Sequence, residues 1–366
     1  MIIKIRFLIP LIITFCLNIW SHKATSEPEV PEQPSSEFTQ GLFSVIENAF
    51  PDDFSGALLV AHGDKIILSK GFGYSNKSEQ VRFSERTVVD VGSITKQFTG
   101  AAILKLEMQG KLSTDDKLSK YIPLLGKHLS DITLHELLTH TSGITDETGD
   151  DYDEITKDKL IARLNSAPLS FPKGSHNYSN IGYSLLALVV ENISDQSFDE
   201  FLNVSFFKPI GMMQTGYVVP EFADSHVAHG YQGVKDWGRP NAKNWQSDGP
   251  YWNLRGNGGI LSTAHDMYLW HLALQTQSVL SKSAKVKLFG KHAREFPNTE
   301  SYYGYGWVIE EFEDGEKMIW HNGGNGIFSA DFRSYPDKSI FYFIAGNHSD
   351  NQVWEISERL HKYIRK

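Results

Sequence analysis

A serine and a lysine stand three residues apart, Ser93 and Lys96, at the predicted start of a helix. Residues i and i+3 lie on one helix face, so the serine hydroxyl and the lysine amine can meet. The helix dipole is positive at the N-terminus, so it also favours the negative charge that develops on the serine oxygen. Because a serine hydroxyl is a weak nucleophile, it needs a neighbouring base, and a desolvated lysine can supply one. The pair predicts nucleophilic catalysis at Ser93.

The Ser-x-x-Lys pattern occurs twice more, so the spacing alone does not select Ser93. Ser170–Lys173 contains Pro172 and is not predicted to be helical. Ser205–Lys208 ends a predicted helix ahead of Pro209, amid aromatic residues, and is interpreted as packing. Ser93 alone has a glycine before it and a long helix with an apolar stripe after it.

Tyr178-Ser179-Asn180 is a second candidate for chemistry. A tyrosine with a lowered pKa can relay protons, and an asparagine can hold both a lysine and a substrate amide. The Tyr-x-Asn pattern recurs at Tyr74–Asn76 and at Tyr251–Asn253. A purely structural tyrosine therefore stays open as the alternative for each of them.

His321-Asn322-Gly323-Gly324 is a third candidate and follows a predicted strand, Met318–Trp320. Its glycines would let a ligand or another backbone approach closely. A glycine-rich hairpin turn is the structural alternative.

These residues must be positioned by the secondary structure around them. The predicted strands lie near both ends of the chain, and predicted helices lie between them. The predicted fold class is α+β, an antiparallel sheet formed from both termini and flanked by helices, with an inserted mainly helical region. The sheet region covers about 37–114 and 255–366, and the helical region covers about 115–254. The predicted helices include 37–50, 93–109, 133–140, 181–192 and 352–364, and the predicted strands are 56–61, 65–72, 305–312, 317–321, 328–335 and 340–345.

The three motifs, in this order along the chain, resemble the signature of the penicillin-recognising serine enzymes. The chain resembles the class C β-lactamase-like branch, with its related esterases and D-Ala-D-Ala carboxypeptidases. Three further stretches resemble segments of that family, namely Leu138–Ile144, Gly258–Met267 and Tyr303–Trp307. The resemblance implies a β-lactamase/transpeptidase-like domain over residues 37–366.

The resemblance also implies a role for each motif residue. Ser93 would be the nucleophile, and Lys96 and Tyr178 would share the general base and acid work. Asn180 would orient the substrate and Lys96. The oxyanion hole would consist of the N–H groups of Ser93 and Gly324.

His321 and Gly323 would line the substrate pocket beside these groups. Class C β-lactamases carry lysine at the position of His321, where it helps to hold the carboxylate of a β-lactam. A neutral imidazole supplies less positive charge. The expected activity is therefore that of an esterase or a D-amino-acid peptidase or carboxypeptidase. A true class C β-lactamase and a non-catalytic receptor for peptidoglycan peptides or β-lactams are the alternatives.

The expected substrate is a small ester, peptide or β-lactam-like molecule, with no cofactor and no metal. His135 and His140 are five residues apart, so they cannot share a zinc ion from one helix face as a zincin motif requires. The chain has a formal net charge of −9 and no basic run, so nucleic acid is not an expected partner.

The N-terminus predicts export, to a periplasm. Lys4 and Arg6 precede an apolar run, Phe7–Trp20, which suits a signal peptide over residues 1–26, followed by a flexible leader over 27–36. An uncleaved membrane anchor is the alternative. Cleavage removes Lys23 as well as the first two basic residues and no acid, so the net charge becomes −12.

Two features stay open at the level of sequence. The aromatic segment 231–252 either covers the substrate cleft or belongs to the core. Arg255 either binds a substrate carboxylate or makes a structural ion pair.

Overall fold

The computed structural model describes residues 36–146 and 149–366. The predicted signal peptide and residues 27–35 of the predicted leader lie outside the described residues. Within these ranges, no helix is both long enough and apolar enough to cross a membrane.

The described residues form ten α-helices and fourteen strands, and two of the strands, Gly230–Gln232 and Lys235–Gly238, fall inside the predicted mainly helical region. The helices are α1 Ser36–Ala49, α2 Thr95–Met108, α3 Leu134–Leu138, α4 Lys157–Ser166, α5 Asn180–Ser194, α6 Phe198–Leu202, α7 Lys208–Ile210, α8 Ala264–Gln275, α9 Lys282–Leu288 and α10 Gln352–Ile364. The strands are β1 Gly56–His62, β2 Lys65–Phe72, β3 Tyr74–Asn76, β4 Val81–Arg82, β5 Val89–Asp90, β6 Gly230–Gln232, β7 Lys235–Gly238, β8 Leu261–Ser262, β9 Ala293–Arg294, β10 Ser301–Tyr303, β11 Val308–Glu311, β12 Lys317–Gly324, β13 Ser329–Tyr335 and β14 Ile340–Gly346.

The main sheet has eight strands in the order β2-β1-β14-β13-β12-β11-β10-β9, each antiparallel to its neighbours. Strand β1 pairs with β14 along its whole length, with Gly56 opposite Gly346 and His62 opposite Ile340. Strands from the two ends of the chain are therefore neighbours. The predicted α+β class, with one sheet built from both termini and flanked by helices, is confirmed.

Both faces of the sheet are buried at its central strands, which explains the nearly uninterrupted apolar sequence of β1 and β14. Side chains alternate between the faces of a strand, so Leu58 and Leu59 belong to different cores. Helices α1 and α10 cover one face, and the second of them packs through residues at helical spacing such as Val353, Ile356 and Leu360. Helices α2, α5 and α8 lie in the larger core on the other face.

Two predicted boundaries are wrong in a way that matters for the site. The predicted helix over 93–109 begins as a 3₁₀ turn, Gly92–Ile94, and becomes α-helical only at Thr95. The predicted turn alternative for the third motif is also wrong, because β12 continues through Gly323 and Gly324. Both glycines pair with β13 in the sheet, opposite Ala330 and Ser329.

Candidate active site

Ser93 lies in the 3₁₀ turn at the entrance to α2. Side chains at i and i+3 eclipse in such a turn, which brings Ser93 and Lys96 into line. The preceding Gly92 has a φ of +54°, and a Cβ atom there would lie 2.4 Å from the Gly324 nitrogen. A glycine before Ser93 is therefore required both by the left-handed backbone and by the close approach of β12.

Lys96 is fully buried and is surrounded by oxygen atoms. Its Nζ donates to Ser93 Oγ at 3.1 Å, to Asn180 Oδ1 at 2.7 Å and to the Asn257 carbonyl oxygen at 2.8 Å. Burial lowers the pKa of Lys96 to about 7, against a weaker opposing effect of two acidic residues. Near neutral pH a large fraction of this lysine is uncharged and can accept a proton.

Helix α5 places both residues of the Tyr-x-Asn motif. Ser179 caps the helix, because its Oγ accepts a hydrogen bond from the Gly182 N–H at 3.0 Å. Asn180 is then the first helical residue, and Tyr178 lies just outside the cap. The Lys96 Nζ is 4.7 Å from the centre of the Tyr178 ring.

The protonation state of Tyr178 differs from the expectation of a lowered pKa. Burial raises its pKa above the usual value, and a hydrogen bond with Ser93 opposes that effect only in part. Tyr178 is therefore protonated at neutral pH and can donate a proton rather than accept one.

Strand β12 brings the third motif against the turn that carries Ser93. His321 and Gly323 point to the same face of the strand, because side chains alternate along it. A Cβ atom on Gly323 would lie 2.0 Å from the Val91 carbonyl oxygen and 2.7 Å from the Ser93 nitrogen. The missing side chain of Gly323 therefore allows the strand and the turn to touch.

His321 is buried and has a fixed tautomer. Its Nδ1 lies 2.5 Å from the Asn322 carbonyl oxygen, and its Nε2 lies 2.9 Å from the Tyr303 hydroxyl. A carbonyl oxygen can only accept, so Nδ1 carries the proton and the Tyr303 hydroxyl donates to Nε2. Burial, reinforced by the nearby Lys96, lowers the pKa of His321 to about 3. The imidazole is therefore neutral at physiological pH.

A cleft of about 660 Å³ opens beside Ser93 and Tyr178 and is also bordered by β12 and the β9–β10 loop. Its lining, as far as the described residues form it, contains no lysine and no arginine. The apolar part of the lining includes Phe296, Trp320 and Trp354, and the carboxylates are Glu295, Glu300, Glu310 and Glu311.

A family model described as Beta-lactamase matches residues 47–361. The chain belongs to the Beta-lactamase family. This is a family of serine hydrolases, and the resemblance expressed by the three motifs is thereby confirmed.

Individual relatives of this Beta-lactamase-family chain are distant. The chain is 29% identical over 332 residues to penicillin-binding protein 4* of Bacillus subtilis (strain 168), a match that covers 85% of this chain and 72% of the relative. It spans 62% of the length of two further curated relatives.

Solved structures show the same fold over nearly the whole chain. A penicillin binding protein from Bacillus halodurans superposes with a TM-score of 0.72 at 26% identity, over 88% of this chain and 98% of that one. A class C beta lactamase from Rhodobacter sphaeroides superposes with a TM-score of 0.73 at 22% identity. The match covers 90% of this chain and 100% of that one. The β-lactamase/transpeptidase-like fold is confirmed.

Several polar residues of this Beta-lactamase-family site were not identified from the sequence. Asn257, whose carbonyl oxygen accepts from Lys96, stands one residue before the Gly258–Met267 stretch, which was the available signal. Tyr303 opens another of the recognised stretches. Asp90 and Asn325, which lie behind the Ser93 turn, gave no sequence signal.

Other predicted candidates lie away from the cleft. Arg255 is 2% exposed and makes ion pairs with Glu191 at 2.8 Å and Asp248 at 2.7 Å, so its structural alternative is correct. The aromatic segment 231–252 packs on the cores and does not line the cleft. Lys173 of one rejected Ser-x-x-Lys pattern forms an ion pair at the surface.

Proposed function

We propose that this protein hydrolyses small acyl donors through a covalent acyl-enzyme on Ser93. The observation that carries the proposal is the contact of 3.1 Å between Ser93 Oγ and the Nζ of a buried lysine whose pKa is lowered to about 7. A serine beside a lysine that is partly uncharged at neutral pH has a base to take its proton.

The proposed acylation begins with attack of Ser93 Oγ on the substrate carbonyl carbon while its proton passes to Lys96. The N–H groups of Ser93 and Gly324 stabilise the negative charge that forms on the carbonyl oxygen. Tyr178, protonated at neutral pH, gives its proton to the leaving oxygen or nitrogen and regains one from Lys96. Water then attacks the acyl-enzyme by the reverse proton route, releasing the acid and restoring Ser93.

Among acyl donors, the cleft favours esters and D-amino-acid amides that lack a carboxylate near the scissile bond. A β-lactam or a carboxypeptidase substrate brings a carboxylate, which needs a cation. His321 is neutral, and the described cleft lining offers carboxylates instead. This observation favours an esterase or an amino-terminal D-amino-acid peptidase over a class C β-lactamase.

We also propose that the protein acts after export, as the N-terminal sequence predicts. The supporting observation is the pair of basic residues, Lys4 and Arg6, followed by the apolar run Phe7–Trp20.

The test is the hydrolysis of p-nitrophenyl butyrate by the purified protein and by Ser93→Ala. We expect the variant to lose about 10³-fold or more of kcat/KM, since the nucleophile that forms the acyl-enzyme is gone. Ser205→Ala is the matched control, because Ser205 heads another Ser-x-x-Lys pattern and should keep full activity.

Mass spectrometry after treatment with an alkyl fluorophosphonate adds a measurement that does not depend on turnover. Parent protein should gain one adduct on the peptide with Ser93, and Ser93→Ala should gain none. Equal esterase activity in parent and Ser93→Ala would remove Ser93 from the mechanism. A parent that neither turns over esters nor forms the adduct would favour the receptor alternative.

A further inference from the structure

A buried carboxylate lies directly behind the turn that carries Ser93. Asp90 is 1% exposed, and each of its two oxygens accepts one hydrogen bond. Oδ1 accepts from the Gly92 N–H at 2.7 Å, and Oδ2 accepts from the Asn325 Nδ2 at 2.9 Å. In the described part of the chain, no basic side chain pairs with it. Burial accordingly raises the pKa of Asp90 to about 7.

Asn325 has its amide orientation fixed from the other side. Its Oδ1 accepts from the N–H groups of Ile327 at 3.0 Å and of Phe328 at 2.8 Å. Its Nδ2 must therefore face Asp90, since only an oxygen can accept from two N–H donors. The turn after β12 is thus connected to the turn before Ser93 through one carboxylate.

The two connected segments carry the amides that the proposed oxyanion hole uses. Gly92 immediately precedes Ser93, and Asn325 immediately follows Gly324. The backbones meet directly, because a Cβ atom on Gly92 would lie 2.4 Å from the Gly324 nitrogen. A change in the distance between the two segments would therefore move one amide relative to the other.

We propose that Asp90 and Asn325 form a positioning pair that holds the Ser93 and Gly324 N–H groups at the separation required to bind an oxyanion. This inference rests on the proposed acyl-enzyme function. Asp90 does not touch the substrate; it acts through the backbone that it holds. Preorganised donors stabilise a transition state without reorganisation, so a small displacement costs rate rather than substrate binding.

The hydrogen-bond pattern supplies a reciprocal test. Asp90→Asn keeps an acceptor for the Gly92 N–H but turns an NH2 group towards the NH2 group of Asn325. Asn325→Asp places two carboxylates against each other. The double variant Asp90→Asn with Asn325→Asp restores a donor facing an acceptor at every contact.

We expect each single variant to lower kcat for p-nitrophenyl butyrate about tenfold or more while KM changes less than about threefold. Affinity for an alkyl boronic acid, which forms a tetrahedral adduct with an active serine, should fall in parallel with kcat. The double variant should recover most of both. Unchanged kcat in correctly folded single variants, or a double variant as slow as the singles, would overturn the proposal.

Asp199→Asn is the matched control for the loss of a buried carboxylate. Asp199 is also 1% exposed and accepts from the N–H groups of Tyr217, Val218 and Val219, outside the site. This variant should have a lower thermal midpoint of unfolding, but its kcat should not fall relative to its KM. If all variants follow the control, Asp90 is merely structural.

Amide hydrogen exchange tests the positioning pair independently of the proposed catalytic function. In Asp90→Asn, the amides of segments 90–96 and 321–328 should lose protection together, and the double variant should regain it, whether or not the parent hydrolyses esters. Independent behaviour of the two segments would refute the positioning pair. Equal esterase activity in parent and Ser93→Ala would instead refute the proposed function.

Discussion

At the scale of single residues, the proposed chemistry depends on removing Lys96 from water. A lysine in water has a pKa near 10.4 and is almost entirely charged at neutral pH, so it cannot take a proton from serine. Complete burial shifts that pKa to about 7. Hydrogen bonds to Asn180 and Asn257 hold the amine against Ser93 and leave its charge state sensitive to pH.

The pH profile of kcat/KM for a neutral ester should therefore rise with pH and level off above about pH 7, because only uncharged Lys96 accepts the proton of Ser93. Lys96→Arg should lose about 10²-fold or more at every accessible pH, since a guanidinium does not deprotonate. Lys208→Arg, in a rejected Ser-x-x-Lys pattern, should behave as the parent.

The pKa of Asp90 lies in the same range as that of Lys96. The variant Asp90→Asn therefore shows which of the two residues causes the rise of kcat/KM with pH. We expect kcat/KM of Asp90→Asn still to rise with pH, but to level off at a lower value than in the parent. A profile that is flat in Asp90→Asn would assign the rise to Asp90 instead of Lys96.

Sequence reasoning identified the candidate groups that stand close together in the chain and missed those that depend on distant contacts. Ser93 and Lys96 are one helical turn apart, so their contact could be predicted. Asp90 and Asn325 are joined across 235 residues. No local pattern specifies such a pair, because it exists only after β5 and the end of β12 have packed together.

At the scale of elements, the approach of β12 to the Ser93 turn depends on the absence of one side chain. Gly323 lacks room for a Cβ atom, which would meet the Val91 carbonyl oxygen at 2.0 Å. The neighbouring Gly324 has its nearest atom at 3.4 Å, an ordinary contact distance. A side chain can therefore be accommodated at Gly324 but not at Gly323.

Gly323→Ala should lower the free energy of unfolding by about 1–3 kcal/mol and remove most esterase activity, since backbone atoms must move to admit the methyl group. Gly324→Ala is the matched control and should keep both stability and most of its activity, because its N–H group is retained. Urea denaturation and initial rates measure the two effects. Equal behaviour of the pair would contradict the steric explanation.

The predicted strand over 305–312 shows why element boundaries were less accurate than element types. Within this range only β11, Val308–Glu311, is a strand; the residues before it form a break through Gly306, and β10 precedes the predicted range. Gly306 has a φ of +82°, and a Cβ atom there would lie 2.3 Å from the Lys96 carbonyl oxygen. Contact with α2 interrupts the strand, and the residue pattern alone cannot reveal that contact.

At the scale of the whole molecule, charge gives a prediction about the proposed substrates. The chain has a formal net charge of −9, and the described cleft lining carries four carboxylates and no lysine or arginine. Glu300 is paired with Arg294, and Glu311 with Lys291. Glu295 accepts a hydrogen bond from the Ser301 hydroxyl at 2.5 Å, and burial raises its pKa. Glu295 is also close enough to act on the charge of Tyr178.

A cleft whose described lining carries carboxylates, a neutral His321 and no lysine or arginine should rank p-nitrophenyl esters of equal chain length by charge. We expect kcat/KM to be highest for the 6-aminohexanoate ester, intermediate for the hexanoate ester and lowest for the adipate half-ester, because the field attracts cations and repels anions. The differences should shrink as salt is added. Glu295→Gln should reduce the preference for the amine about threefold, whereas Glu300→Gln, whose partner is an arginine at the surface, should change it less. A highest rate with the adipate half-ester would contradict the proposed exclusion of carboxylate substrates and would return the class C β-lactamase and carboxypeptidase activities to first place.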